Sequence, residues 1–177
     1  MTEGRVVDTN VLIVASAADG ASPFRWNATP VEEADLRERV LDWLQKFEGN
    51  SEFHLVIDFG SLIFREYRRK LTEQDYGLQV ILNKIDRNQV IRVELEKDEH
   101  GDAVLSSELA EAVPDRADRK MVAAVLAANP MCDSCKLTNA CDTDWLECEK
   151  ALEGADVRIE NLLQEWLTNK WNTRHDN

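Results

Sequence analysis

Four carboxylates in this 177-residue chain stand where chemistry could gather. Asp8 follows the short apolar lead Val6-Val7 and precedes Thr9-Asn10, after which Val11-Leu12-Ile13-Val14-Ala15 opens a helical pattern. An acid at the carboxyl end of the first strand of an α/β sheet stands on the rim where such sheets bind ligands. Glu66, Asp118 and Asp142 recur at comparable junctions farther along. Acids gathered on one rim repel one another unless cations hold them, so the set predicts a divalent-metal site. Carboxylate oxygens suit hard ions such as Mg²⁺ or Mn²⁺. An ion held there lowers the pKa of a bound water, orients an anionic substrate and offsets charge developing on it. Asp8, Glu66 and Asp118 are the expected ligands. Asp142 completes the site or places the attacking water, and Asp144 is a second candidate for that position. Thr9 or Asn10 would fix the Asp8 carboxylate by hydrogen bonding, or hold a phosphate oxygen.

Each acid also has a plainer explanation. Asp8 could cap a turn, although an accidental acid after an apolar strand is costly. Glu66 could pair with Arg69 or Lys70 on a helix surface. Asp115 reads better as a helix cap than as a ligand, and Asp58 as the cap of the helix after its strand. One of Asp142 and Asp144 is expected to cap the helix that follows, with Asp142 favoured as the site residue.

The elements that must position these residues alternate between strand and helix patterns. Arg5 to Asp8 reads as a buried strand, with Asn10 as N-cap of a helix through Ala18. A Gly-, Ser- and Pro-rich loop from Asp19 to Pro30 carries Phe24 and Trp26. Val31 to Phe47 has helical spacing, Phe53 to Asp58 reads as a strand, and Ser61 to Lys70 and Glu73 to Ile85 as helices. Gln89 to Leu95 is a third strand and Ser106 to Ala112 a short helix. Pro114 opens a stronger helix, with Asp118 near its positive end. Lys136 to Cys141 is expected as a fourth strand ending at Asp142, followed by a helix from Thr143 to Leu152. Val157 and Ile159 fit a last strand and Asn161 to Trp171 a closing helix. Such alternation implies one α/β domain over 1–177, a three-layer α/β/α sandwich around a mostly parallel sheet of four to five strands. Parallel strands end on one side, so Asp8 and Asp142 should face one groove, joined by Glu66 and Asp118 from helices leaving the same edge.

Together these segments resemble the PIN-domain nucleases. Val6-Val7-Asp8-Thr9-Asn10 is similar to their opening motif, and Glu66 in Phe64-Arg65-Glu66-Tyr67 to their second acid. Asp118, ahead of Arg119-Lys120-Met121-Val122-Ala123-Ala124, resembles their third. Thr138-Asn139 and then Asp142-Thr143-Asp144-Trp145 resemble the last motif, a strand ending in Asp-x-Asp-aromatic. The resemblance spans nearly the whole chain, with the motifs in order. It implies a metal-dependent nuclease, most often an endoribonuclease acting on RNA, in many members toxin-like, dimeric and paired with an inhibitor protein. A catalytically silent PIN-like RNA-binding or scaffold module is the alternative. A haloacid dehalogenase-type phosphatase also starts from a strand-end Asp, but it needs a second Asp two residues on, where this chain has Asn10.

Composition restricts the partners. A formal net charge of −13 excludes a surface coated with phosphate contacts. The basic residues are nevertheless grouped: Arg65, Arg68, Arg69 and Lys70 flank Glu66, and Arg116, Arg119 and Lys120 flank Asp118. A local basic patch can steer a polyanion on an acidic protein, and Arg65, Arg69 and Arg119 are the expected substrate contacts. No apolar run reaches the length of a membrane span, and Met-Thr-Glu-Gly-Arg lacks the features of a secretory signal, so a cytoplasmic location is expected. Cys132, Cys135, Cys141 and Cys148 are then expected to be reduced. Their Cys-x-x-Cys start permits a structural zinc site, but the second pair is spaced unlike a knuckle, and a loop thiol pair plus two packed cysteines is favoured. The stretch 129–137 reads as a cysteine-containing insertion before the fourth strand. None of the three histidines has ligand spacing.

Overall fold

The computed structural model of the chain describes residues 1–176. Five strands form its centre: β1 (Glu3–Val7), β2 (Phe53–Asp58), β3 (Val90–Val93), β4 (Ser134–Asn139) and β5 (Arg158–Asn161). They lie in the order β3-β2-β1-β4-β5, and every neighbouring pair is parallel. Strands covered on both faces need apolar runs. Val6, Val7, Leu55, Val56 and Leu137 supply these and are fully buried.

Helices α1 (Thr9–Ala18) and α2 (Ala34–Gly49) connect β1 to β2. Helices α3 (Leu62–Lys70) and α4 (Tyr76–Asp86) connect β2 to β3. Helices α5 (Ser107–Ala112) and α6 (Arg119–Ala128) lead to β4, and the short α7 (Asp144–Glu147) and α8 (Glu149–Gly154) lead to β5. The chain closes with α9 (Gln164–His175). Parallel crossovers are right-handed, so connections running toward β3 and those running toward β5 cover opposite faces. The packing agrees: α1, α2 and α4 touch one another, while α6 lies along β1 to β4 and α8 against α5 and β5. The result is the expected three-layer α/β/α sandwich.

Gly77 permits the close approach of α4 to α1. A Cβ there would sit 2.7 Å from the Leu12 carbonyl oxygen, and the Gly77 N–H donates to Ser16 Oγ at 2.9 Å.

Several boundaries differ from the sequence expectation. Strand β3 is shorter (Val90–Val93), β4 ends at Asn139, and the helix expected over 143–152 is two short ones. Four further differences have a tertiary or capping reason. Asp8, not Asn10, caps α1, accepting the Asn10 N–H at 3.0 Å. The helix expected from Pro114 begins instead as a 3₁₀ turn, Arg116–Asp118, which Asp115 caps through the Ala117 N–H at 2.9 Å; α6 proper starts at Arg119. Strand β4 starts at Ser134, two residues earlier than expected, because pairing with β1 draws it in: Asp133 and Thr2 exchange hydrogen bonds just before the ladder. The supposed insertion is thereby reduced to a 3₁₀ turn (Asn129–Met131), Cys132 and Asp133 before the strand. Asn161 ends β5 and does not open the last helix, which runs Gln164–His175. Asp58 caps α3 as expected, accepting the Leu62 and Ile63 N–H groups at 2.9 and 3.0 Å.

Candidate metal centre

Strand order reverses between β1 and β4. The chain leaves β1 toward β2 on one side and leaves β4 toward β5 on the other. In parallel sheets the connections diverge at such a point and open a crevice beyond the strand ends. Asp8 follows β1 there, and Asp142 lies three residues beyond the end of β4. Asp118 arrives from the other direction, at the N-cap position of α6, with no backbone N–H occupying its carboxylate. One oxygen from each of Asp8, Asp118 and Asp142 falls within a 4.8 Å cluster.

The crevice is built by side-chain amides. Asn10 Nδ2 donates to Asp8 Oδ1 at 2.8 Å and to Asn139 Oδ1 at 3.0 Å. Asn10 Oδ1 accepts the N–H groups of Ala140 and Cys141, at 2.9 and 3.1 Å. Both donors and both lone pairs of this amide are therefore used inside the protein, and Asn10 is a clamp between α1 and the turn after β4. Asn139 extends the relay: its Nδ2 donates to the Asp142 carbonyl at 3.0 Å and to Asn161 Oδ1 at 2.9 Å. Its Oδ1 accepts the Asp142 N–H at 3.1 Å. One polar chain thus crosses the ends of β1, β4 and β5 and sets the position of Asp142.

Asp8 is fixed from both sides. Its Oδ1 takes the two Asn10 donors, and its Oδ2 accepts the indole N–H of the buried Trp145 at 2.7 Å. Burial nonetheless pushes its carboxyl up to about 6; the Asn10 and Trp145 donors oppose the rise, and Asp142 and Glu66 add to it. Asp118 rises further, to about 8, by burial first and then by the charges of Asp8, Asp142, Asp115 and Asp144. Asp142 is raised by burial as well, while the Asp144 N–H that it accepts at 2.9 Å works against the shift. Three neighbouring carboxyls that resist ionisation mark a pocket whose negative potential these donors, and Arg174 near Asp142, offset only in part.

Glu66 does not join this cluster. Its Oε2 accepts the Thr9 hydroxyl, and its Oε1 forms an ion pair with Lys120 Nζ at 2.9 Å. It remains close enough to raise Asp8. Asp144 is exposed and caps nothing through its side chain. Together with Asp118, Trp145 and Cys148 it lines a small cavity of about 100 Å³ beside the site.

The basic residues separate into two kinds. Arg65, Arg68, Arg69, Arg116 and Lys120 line one open groove of about 540 Å³. Lys120 forms its inner wall and bonds Glu66, so the groove adjoins the carboxylates. Arg119 faces elsewhere and donates to the carbonyls of Val113 and Ala110 at 2.9 Å each, tying down the end of α5. Arg65 donates to the Gly60 carbonyl at 3.0 Å and stays exposed.

The four cysteines do not converge. The thiols of Cys132 and Cys135 face Gly4 near the start of β1, whereas Cys141 and Cys148 follow β4 at the opposite end of the sheet. Among the described residues, the three-aspartate group is where metal-ligating side chains meet.

No protein-family model, curated protein or solved structure matches the chain. Three residues that sequence reasoning did not assign prove central. Trp145 and Lys120 lay inside the motifs named above, but the partners of an indole or an ammonium cannot be read from spacing. Asn139 belonged to the Thr-Asn pair of the fourth strand; its polarity at a buried strand end was the one available signal.

Proposed function

We propose that the chain is a Mg²⁺- or Mn²⁺-dependent nuclease of PIN-domain type that hydrolyses RNA phosphodiester bonds. The observation that carries this is the convergence of Asp8, Asp118 and Asp142 within 4.8 Å at the switch point of a parallel sheet. The donor set fits the ion. All the donors are hard oxygens, and their spacing of no more than 4.8 Å would let Asp8, Asp118 and Asp142 close on a single dication. When bound, the ion would polarise water and offset charge on the phosphoryl oxygens.

The chain's own residues supply the remainder. Asp8, locked by Asn10 and Trp145, would be the fixed ligand around which the site is arranged. Asp118 and Asp142 would bind as carboxylates, giving up protons to do so. Asp142, whose Oδ1 accepts the Asp144 N–H and whose other oxygen takes no hydrogen bond from the described residues, would orient the attacking water. The groove of Arg65, Arg68, Arg69, Arg116 and Lys120 would carry the phosphate backbone toward the acids. Such a groove would reconcile a net charge of −13 with a polyanionic substrate. The net negative charge of the chain would disfavour landing elsewhere.

Incubation of end-labelled single-stranded RNA with the protein and Mn²⁺ tests this. Product should form, and EDTA, Asp8→Asn and Asp118→Asn should each reduce it to background. RNA that is bound in the groove but never cut, with or without metal, would instead make the chain a silent RNA-binding module. Hydrolysis of a small phosphomonoester with intact RNA would point to a phosphatase.

A further inference from the structure

We infer that Lys120 is a built-in cation that takes Glu66 out of the ligand set, so that the site holds one divalent ion and not two. This rests on the divalent-ion proposal for Asp8, Asp118 and Asp142. Lys120 is the second residue of α6. A positive charge in the first turn of a helix opposes the macrodipole and the free N–H groups there, so helix formation does not account for it. Nor does solvation: the Lys120 side chain is 10% exposed and that of Glu66 16%. Two largely desolvated charges hold each other, with Nζ 2.9 Å from Oε1, and a second hydrogen bond runs from Nζ to the Ala117 carbonyl. The other Glu66 oxygen accepts the Thr9 hydroxyl. Both Glu66 oxygens are thereby engaged by residues outside the aspartate group.

The consequence concerns ion number. A second ion about 4 Å from the first would need carboxylate ligands of its own. Asp144 is exposed, and Glu66 is the largely desolvated acid beside Asp8 that could serve. In this chain the acid in that position is neutralised by an ammonium, which would also repel a dication brought beside it. The four acids Asp8, Glu66, Asp118 and Asp142 thus divide into three that bind the ion and one that binds Lys120. Lys120 therefore acts as a positioning residue: it sets the occupancy of the site through Glu66, from the wall of the groove the substrate would follow.

Counting bound Mn²⁺ by the electron paramagnetic resonance of the free ion, in titrations of the folded chain, tests the inference without reference to activity. The wild type should bind one Mn²⁺ per chain. Glu66→Gln should still bind one, with affinity within about threefold of wild type, whereas Asp118→Asn should weaken binding at least tenfold. Lys120→Met, which frees Glu66, should take up a second ion, and Lys120→Arg should stay at one. If Lys120→Met does not fold, Glu66→Gln alone decides, because amide replacement of a true ligand should weaken binding at least tenfold, as in Asp118→Asn. Two ions in the wild type, or binding weakened tenfold or more in Glu66→Gln, overturns the inference while the metal site stands. A folded Lys120→Met chain that still binds one ion also overturns it. A wild type that binds no Mn²⁺ removes the metal-site proposal and this one together.

Discussion

The indole N–H of Trp145 reaches Asp8 Oδ2 at 2.7 Å, joining residues 137 positions apart. It is the only bond to that oxygen among the described residues, and it ties the end of β1 to α7 across the crevice. A buried carboxylate oxygen deprived of its donor bears the full cost of desolvation. Trp145→Phe should therefore destabilise the fold by about 2 to 4 kcal/mol, the sum of a charge-assisted hydrogen bond and poorer packing. Urea unfolding monitored by circular dichroism would measure it. Because the missing donor favours the ionised form, the same change should move the Asp8 titration upward from about 6.

The acid pocket makes the metal-free protein sensitive to rising pH. Asp8 and Asp118 titrate near 6 and 8 in the folded chain, against 3.8 ordinarily. A carboxyl raised in this way binds its proton more tightly when folded. The stabilisation it contributes is complete below pH 3.8 and is lost as the pH climbs through 6 and 8. In EDTA, melting temperature should fall across that window, and Asp118→Asn should flatten the upper part of the fall. Mn²⁺ should reverse the trend, since binding displaces the same protons and its affinity should rise toward pH 8. Differential scanning calorimetry across pH, with and without the ion, tests both signs.

Asn10 uses all four of its polar valences to hold Asp8, Asn139, Ala140 and Cys141. Asn10→Ala strands two backbone donors and should cost about 3 kcal/mol or more. Asn10→Asp keeps the shape but replaces the donating nitrogen with a charged oxygen facing Asp8 and Asn139 Oδ1. It should be at least as damaging as alanine despite the closer fit. Ranking the two variants by thermal melts at pH 7 decides the matter.

The arginine groove should dominate RNA affinity. With EDTA present to block cleavage, single replacements Arg65→Ala, Arg69→Ala and Arg116→Ala should each weaken single-stranded RNA binding about 3- to 10-fold. Each guanidinium removed from a phosphate should also reduce the slope of log affinity against log salt by about 0.7. Arg119→Ala should differ: its guanidinium holds the Val113 and Ala110 carbonyls, so it should lower stability and leave the salt slope unchanged. Fluorescence anisotropy at several salt concentrations separates the two classes.

Much of the scaffold is legible in the residues alone. Phe53 to Asp58 reads as a strand and is one, residue for residue. The alternation of apolar runs with amphipathic stretches announces a parallel sheet, because strand and helix periods are local properties of the chain. The placement of Asp8 and Asp142 on one rim follows from the shared direction of parallel strands. Errors collect at boundaries where a distant partner decides. Strand β4 reaches back to Ser134 because β1 offers it hydrogen bonds, which no local signal at Cys132 to Cys135 could announce. The cysteine spacing allows a metal knuckle, and only the course of the chain places the two thiol pairs at opposite ends of the sheet.

The chemistry divides along the same line. The order of residues dictated which side chains were at hand: carboxylates after strand ends, arginines beside them and amides next to those. Folding chose their partners. Glu66 and Asp118 are alike as isolated acids, yet one faces an ammonium 2.9 Å away and the other faces two more carboxylates. A carboxylate binds whichever charge lies nearest in space, and Lys120 is 54 positions from Glu66 along the chain. Electrostatic energy falls with distance through the folded molecule and takes no account of separation along the backbone.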